Sequence, residues 1–428
     1  MPSGHDRVAC DSNVRNVVLL AGRALDGPLS AENARRGCVG LRPVTTKRFE
    51  FATFDAVDGS IDPTADYVTS LTAATGRSWP TLVAARAAAH EVRTVLSNSL
   101  AEAFGDYATQ DVDLIAFGSL ARQEWTSGSD VDWTLLIDGQ ATPDHRRIAR
   151  QIAAQIGSTE FRGRKLPHPG AEGIFGSMAF SHEVIHHIGG QADSNRNTTQ
   201  RVLMLLEACP VRQTGYAGEL GPYERVTRNI LFRYLHDDTN FAAGGAMGSR
   251  IPRFLLNDIV RYWRTMCVDF AYKEWEQAGG KWAIRNIKLR MSRKLLFVSG
   301  LLTVFSCFRN DALRIDSAKA NEYLPMMEKH LTRFVRSTPV NILVWTLDRL
   351  GLASQAADIL TRYDDFLQRL DKADVRSHLG CLPARQIYRD QQFLELREIS
   401  HQFQDALDEV FFNRNTNLRE FTLRYGVF

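Results

Sequence analysis

The sequence predicts an α/β domain, built on a mixed sheet with flanking helices, followed by a mostly α-helical domain. Two short apolar runs, Val112–Phe117 and Trp133–Ile137, have the length of buried strands and enclose a stretch of turn-forming residues. From Thr198 almost to the C-terminus, apolar residues instead recur at the spacing of helices. With 428 residues, the chain is long enough for both domains.

The part of the chain before the first strand has two regions. Residues 1–75 contain many turn formers and little periodicity, and we expect an N-terminal arm whose structure the sequence does not define. Pro80 then begins a helix that leads into the strand, because proline suits the first helical position. The apolar residues of this helix recur at helical spacing: Val92, Leu96, Leu100 and Phe104.

The stretch between the two strands, Gly118–Asp132, contains residues suited to phosphate and metal binding. Gly118 lets the backbone approach a phosphate without a clash from Cβ, and the hydroxyl of Ser119 can donate to it. Asp130 and Asp132 are two residues apart next to a strand, so their carboxylates point to one face. Carboxylate oxygens suit Mg²⁺, with phosphates and water completing its shell. The stretch therefore predicts a site for Mg²⁺ (or Mn²⁺) and a nucleoside triphosphate.

The elements after the second strand complete the predicted α/β domain, which spans residues 76–215. Pro143–Ile156 is a predicted helix, and Phe161–Gly173 is a loop rich in glycine, proline and basic residues. The segment Ile174–Gly190 contains short apolar and β-branched pieces, which favour strand. The predicted helical domain spans residues 216–428.

The segment Phe117–Trp133 resembles the signature of the polymerase-β-like nucleotidyltransferase superfamily, which is Gly-Ser followed after about ten residues by Asp-x-Asp on a strand. It is most similar to the branch that contains bacterial protein-PII uridylyltransferases. That branch shares the Arg and Glu of the short helix, here Arg122 and Glu124, and the serine before the first aspartate, here Ser129. Leu203–Val211 is similar to a leucine-rich helix of the branch, so the resemblance covers roughly residues 85–215.

This resemblance implies an enzyme that moves a nucleoside monophosphate from a nucleoside triphosphate to an acceptor hydroxyl and releases pyrophosphate. Asp130 and Asp132 would hold Mg²⁺, and Gly118, Ser119 and Arg122 would contact the substrate. Superfamily members commonly have a third carboxylate on a neighbouring strand, for which Glu183 is the candidate. The branch favours a protein as acceptor, with RNA or a small molecule as alternatives. A catalytically silent nucleotide-binding regulatory module is a further alternative.

A rival motif of a different class overlaps Glu183. His182–His186 matches HExxH, which on a helix would bind Zn²⁺ through its two histidines and use Glu183 as a general base. The glycines at 189 and 190 would end such a helix after little more than one turn. The third ligand would have to be His168 or Asp193, since Ala192 occupies the usual position. A zinc-dependent hydrolase is thus the main alternative to a nucleotidyltransferase.

A basic segment in the predicted helical domain offers a second set of anion ligands. Lys281–Lys294 contains six cations and no acid, and several of the cations are neighbours on a helix face. Lys288 and Arg293 are the candidates for binding the triphosphate, and an RNA acceptor or a solvated helix face are the alternatives.

Composition indicates the setting in which such an enzyme would work. The net charge of +3 is small for the length and does not by itself indicate a nucleic-acid partner. The six cysteines are scattered without a CxxC pair, and the N-terminus lacks a long apolar core, so we expect a cytoplasmic protein. The most apolar run, Leu295–Phe308, is too short to span a membrane and predicts a buried helix.

Overall fold

The computed structural model describes residues 60–105, 111–167, 175–212, 220–238, 241, 251–276, 280–308, 320–414 and 416–426. Most of the predicted N-terminal arm, His168 and much of the predicted domain boundary at residues 215–222 lie outside the described residues. Residues 60–75, which the sequence left undefined, include a helix.

The sheet has four strands in the order β5-β2-β1-β6, and a separate two-stranded hairpin is formed by β3 and β4. Strand β1 pairs antiparallel with both β2 and β6, whereas β2 pairs parallel with β5. The predicted strands at 112–117 and 133–137 are confirmed. The strands are β1 (Val112–Phe117), β2 (Trp133–Ile137), β3 (Glu160–Phe161), β4 (Arg164–Lys165), β5 (Ser177–Phe180) and β6 (Ala208–Pro210).

Helices make up most of the rest of the described chain. Those in the first half are α1 (Tyr67–Thr75), α2 (Pro80–Phe104), α3 (Gly118–Ala121), α4 (Pro143–Ser158), α5 (Ser181–His186) and α6 (Asn195–Leu206). The remaining α-helices are α7 (Pro222–His236), α8 (Arg253–Glu276), α9 (Trp282–Lys288), α10 (Lys294–Phe305), α11 (Ala320–Val335), α12 (Pro339–Arg349), α13 (Ala353–Asp371), α14 (Ala373–Cys381), α15 (Gln391–Asp408) and α16 (Thr416–Phe421). A π-helical turn, Leu289–Arg293, joins α9 to α10.

The two faces of the sheet are covered by different layers. Because side chains alternate along a strand, Leu114 and Leu135 point to one face and Ile115 and Leu136 to the other. The first face packs against α2 and α4, whose buried residues include Val92, Leu96, Leu100, Ile152 and Ile156. The second face joins a larger apolar core made mostly by α6, α7 and the helices that follow. The coarse prediction, a small mixed sheet with flanking helices followed by a mostly helical part, is confirmed.

The helices on the second face of the sheet are joined to one another by buried polar contacts as well as by this core. Arg201 on α6 is fully buried, and its Nη2 lies 2.8 Å from Asp193 Oδ2 and 2.6 Å from Asp258 Oδ2. Tyr234 donates to the same Asp258 oxygen at 2.5 Å. These contacts join α6 to α7 and α8. Breaking one of them would be strongly unfavourable, because it would leave a buried charge without its partner.

Of two predictions about secondary structure, one is confirmed and the other is wrong. The apolar run Leu295–Phe308 is largely α10, a buried helix, as predicted. In the described part of Ile174–Gly190, only Ser177–Phe180 is strand and Ser181–His186 is helix α5, so the prediction of mainly strand is wrong there. Val184 and Ile185 lie on the buried side of this helical turn, while Glu183 and His186 are exposed. None of the helices in the described ranges is long and apolar enough to cross a membrane.

Candidate active site

A cleft opens at one end of the sheet, where β1 ends and β2 begins. Counted with the space at its open mouth, it has a volume of about 530 Å³. Its walls come from the loop between β1 and β2 and from the helical part of the chain. Seven of the predicted site residues line it: Gly118, Ser119, Arg122, Asp130, Asp132, Lys288 and Arg293.

The glycine turn and the second aspartate are in direct contact. Gly118 begins α3 with φ of +64°, and a Cβ added at this position would lie 2.6 Å from Asp132 Oδ2. The amide of Phe117 donates to the carbonyl of Asp132 at 2.9 Å, which extends the β1–β2 ladder by one residue. A side chain at position 118 would therefore displace the carboxylate, and only glycine suits both the dihedral angle and the contact.

The two aspartates lie just before β2, and their carboxylates share the cleft. Val131 between them is fully buried in the core on the opposite side, as the alternation of an extended chain requires. Burial and the adjacent Asp130 carboxylate raise the pKa of Asp132 to about 7, against the attraction of Arg293. The cleft thus brings two mutually repelling carboxylates together with several cations.

Behind the aspartates lies a network of buried ion pairs centred on Glu207. This residue stands between α6 and β6, and its side chain is fully buried. One carboxylate oxygen accepts from Arg122, and the other accepts from Nη1 of Arg293 at 2.5 Å. Arg122 also donates to Glu124 at 2.8 Å. Arg122, predicted as a substrate ligand, lines the cleft with its charge already paired, so it mainly fixes the geometry of the turn.

Two cations opposite the aspartates lie at the two ends of the π-helical turn: Lys288 is the last residue of α9, and Arg293 is the last residue of the turn. In a regular α-helix, residues five apart are rotated by about 140°, so Lys288 and Arg293 would point in different directions. The wider π turn, with hydrogen bonds from i to i+5, reduces this rotation, and both side chains reach the same cleft. Burial lowers the pKa of Lys288 to about 8, and repulsion from Arg376 adds to this effect.

Other cations of the basic segment have different partners. Lys294 donates to Gln404 on α15, Arg290 donates to Asn286 at 3.1 Å, and Lys281 is exposed. The predicted segment therefore divides between cleft ligands and structural or solvated residues.

A further cation, which the sequence did not indicate, comes from α14. Arg376 lines the cleft, and its Cδ occupies the space beside Gly128, where an added Cβ would lie at 2.4 Å. Asp130 is the acid whose attraction acts on this guanidinium. Arg376 is distant from the motif in sequence, and no local pattern marks it. Glu207 did leave a signal, because it is an acid in the otherwise apolar run Leu203–Val211.

The structure does not bring Glu183 to this cleft. Glu183 is exposed on α5, which follows β5. Since β5 runs parallel to β2, its C-terminal end lies beside Ile137, and the cleft lies at the opposite end, beside Trp133. The prediction that Glu183 is a metal ligand and catalytic residue therefore has no geometric support.

The HExxH motif places two histidines close enough together to be ligands of one zinc ion. His182 and His186 lie on one side of α5, with ring centroids 4.9 Å apart. Asp193, a proposed third ligand, is held by the buried guanidinium of Arg201. Across the described ranges there is no group of three or more His, Cys, Asp or Glu side chains placed to hold a metal ion.

The cleft fits a different kind of metal site. Mg²⁺ commonly binds through one or two protein carboxylates, with substrate phosphates and water as its other ligands. Asp130 and Asp132 supply such a pair, and the raised pKa of Asp132 indicates a carboxylate pair that a cation would stabilise. Lys288 and Arg376 have no ion-pair partner within the described residues, so they remain available to an anion.

Comparisons of the chain with protein-family models, with curated proteins and with solved structures give no match.

The contact between Gly118 and Asp132 gives a first prediction. Gly118→Ala should lower any activity that depends on the Asp132 carboxylate by about 10²-fold, because small displacements of a catalytic group have effects of this size. Gly76→Ala is the matched control, since Gly76 has φ of +69° and open space around its Cβ position. Both variants should lose about 1–2 kcal/mol of stability in thermal unfolding, because alanine disfavours a positive φ. Equal activities of the two variants would contradict the importance of the contact.

Proposed function

We propose that this protein is a Mg²⁺-dependent nucleotidyltransferase that moves a nucleoside monophosphate from a nucleoside triphosphate to an acceptor hydroxyl. The observation that carries the proposal is the cleft in which the glycine turn and the aspartate pair face Lys288, Arg293 and Arg376. The carboxylates suit a metal ion, and the cations across the opening suit phosphate groups. The cleft as a whole therefore suits a metal–polyphosphate complex.

Each group has a role in this reaction. Gly118 and Ser119 would contact the β- and γ-phosphates, because the backbone at the turn is free of a Cβ. Lys288 and Arg376 would neutralise phosphate charge from the opposite wall. Asp130 and Asp132 would hold Mg²⁺, which when bound stabilises negative charge on the reacting phosphates. The acceptor oxygen bonds to the α-phosphorus, the bond to the β-phosphate oxygen breaks, and pyrophosphate leaves while the hydroxyl proton passes to solvent.

The positions of the other predicted groups favour this proposal over a zinc hydrolase. The HExxH histidines lack a third ligand in the described chain, whereas the aspartate pair lies in a cleft with unpaired cations. The acceptor can be a protein, RNA or a small molecule, and the similarity of the motif to protein-modifying enzymes favours a protein.

The test is to incubate the purified protein with each of the four α-labelled ribonucleoside triphosphates and Mg²⁺ or Mn²⁺, with and without a cell lysate. We expect metal-dependent release of pyrophosphate and transfer of label to a macromolecule or small molecule. Lys288→Ala should weaken triphosphate binding, whereas Lys281→Ala, which removes an exposed cation outside the cleft, should not. Stoichiometric Zn²⁺ that is lost on His186→Ala would instead support the hydrolase.

A further inference from the structure

A second opening lies directly beside the cleft. This groove has a volume of about 1260 Å³ counted with its open side, and it runs between α2 and the β3–β4 hairpin. Thr126 and Ser129 line both the groove and the cleft. The residues between them form a tight turn, in which Ser129 donates its amide to the carbonyl of Thr126 at 2.9 Å. Among the described residues, this turn lies between the groove and Asp130.

The turn is fixed in position by the helical part of the chain. The amide of Ser127 donates to Asp371 Oδ1 at 2.8 Å, and the Ser127 hydroxyl donates to the Asp371 carbonyl at 2.5 Å. The Thr126 amide donates to the Ser129 hydroxyl at 3.0 Å. Because Asp371 anchors the turn and internal hydrogen bonds fix its shape, the groove and the cleft keep a defined relation, as two adjoining substrate sites would require.

The charged side chains that line the groove are mostly positive. The hairpin supplies Arg162, Arg164 and Lys165, all exposed, within four residues. Arg162 makes an exposed ion pair with Glu91 at 2.8 Å, while Arg164 and Lys165 have no acidic partner within the described residues. Asp371, which is exposed and also lines the groove, has one carboxylate oxygen bonded to the Ser127 amide. The hairpin therefore presents unpaired positive charge to the groove.

The groove has room for a ligand because its floor is built from small side chains. Ala84, Ala85 and Ala88 line it on the α2 side, and the half-buried Phe161, with the edge of the buried Trp125, adds aromatic surface. Cationic residues at the rim with apolar and aromatic surface below suit a ligand that has both phosphate groups and a flat apolar part. An extended neutral peptide would leave the cations of the hairpin without partners.

We propose that this groove receives the acceptor and that the acceptor carries phosphate groups, as the end of an RNA strand or a free nucleotide does. The proposal rests on the nucleotidyltransferase function proposed above and specifies its acceptor class. It favours a phosphate-bearing acceptor over the protein acceptor that motif similarity suggests. The phosphates contact Arg162, Arg164 and Lys165, and the acceptor hydroxyl passes over the Thr126–Ser129 turn towards the aspartates.

The test measures binding of a fluorescein-labelled single-stranded oligoribonucleotide of about 12 nucleotides. Fluorescence anisotropy is recorded at several salt concentrations without triphosphate or metal. Three phosphate contacts correspond to a slope of about −2 in the plot of log K against log salt. The triple variant Arg162→Gln, Arg164→Gln, Lys165→Gln should reduce this slope to near zero and weaken binding at least tenfold.

The matched control makes the same change of charge on the exposed side of α4, with Arg146→Gln, Arg147→Gln and Arg150→Gln. It should bind like wild type, and thermal unfolding should show that both triple variants are folded. Nucleoside monophosphates that bind as tightly as the oligonucleotide, with the same dependence on the hairpin, would support a small phosphorylated acceptor. Equal binding by both triple variants, or a labelled acidic peptide that binds the hairpin more tightly than RNA, would overturn the proposal.

The RNA assay contains neither metal nor triphosphate, so it reports binding to the hairpin separately from nucleotide transfer. If RNA binds the hairpin but no triphosphate is turned over, the nucleotidyltransferase proposal fails. If triphosphate is turned over but the hairpin variant modifies its acceptor normally, the acceptor proposal fails.

Discussion

Replacing Asp132 by asparagine should abolish nucleotide transfer and at the same time make the metal-free protein more stable at pH 8. Loss of transfer follows if the carboxylate holds Mg²⁺, and a decrease on the order of 10³-fold is typical when a group that stabilises transition-state charge is removed. The gain in stability follows from burial and from repulsion by Asp130, which raise the pKa of Asp132 to about 7. Asparagine has a similar size without the charge.

The pH dependence of this gain has a defined sign. The folded chain keeps a proton on Asp132 up to pH about 7, whereas the unfolded chain loses it near the ordinary value of 3.8. The free energy of unfolding of the wild type therefore decreases as pH rises through this window. The asparagine variant lacks this decrease, because asparagine does not titrate. A window of about three pH units corresponds to at most about 4 kcal/mol.

Urea unfolding of both proteins without metal, at pH 5 and pH 8, measures the effect. The advantage of the variant should be larger at pH 8, and added Mg²⁺ with triphosphate should stabilise only the wild type. A variant that is less stable than wild type at pH 8 would show that Asp132 is held by a favourable ion pair instead.

Glu207→Gln should cause the largest loss of stability among single substitutions in the site. The change leaves the guanidinium groups of Arg122 and Arg293 buried near each other without their shared counter-charge, and such losses amount to about 3–5 kcal/mol. Burial alone would raise the pKa of Glu207, but the guanidinium groups of Arg293 and Arg122 outweigh it and keep this pKa below its ordinary value. The stabilisation is therefore present above the ordinary carboxylate range and decreases as pH falls below it.

Asp144→Asn is the control for this experiment, because it breaks an ion pair with Arg147 in which both side chains are mostly exposed. Its cost should be below about 1 kcal/mol. Urea unfolding at pH 7 compares the two variants. A cost for Glu207→Gln as small as that of the control would show that the two arginines find other partners.

The parts of the site that could be predicted from sequence are those set by local geometry. The spacing of Asp130 and Asp132 defines their common face in any extended chain, and the apolar runs beside them define the strands. Lys288 and Arg293 were candidates because their segment lacks acids, although nothing in the sequence revealed the π turn that directs both into the cleft.

The remaining parts depend on topology. Whether the residues after a strand reach the cleft depends on the direction of that strand. Because β5 pairs parallel with β2, Glu183 lies at the end of the sheet opposite to the cleft. Arg376 reaches the cleft only because α14 packs where it does, which no local pattern specifies. Glu207 lies at the correct end because β6 begins beside Phe117.

The common core of the sheet and the helices affects how this chain can be divided for experiments. Ile115, Phe117 and Leu136 face side chains from the helical part rather than water. A fragment cut out at residues 76–215 would expose the part of that apolar surface that α7 and the later helices cover, and it would be prone to aggregate. Loss of activity on truncation would therefore report a folding failure, and the acceptor and triphosphate should be studied with the undivided polypeptide.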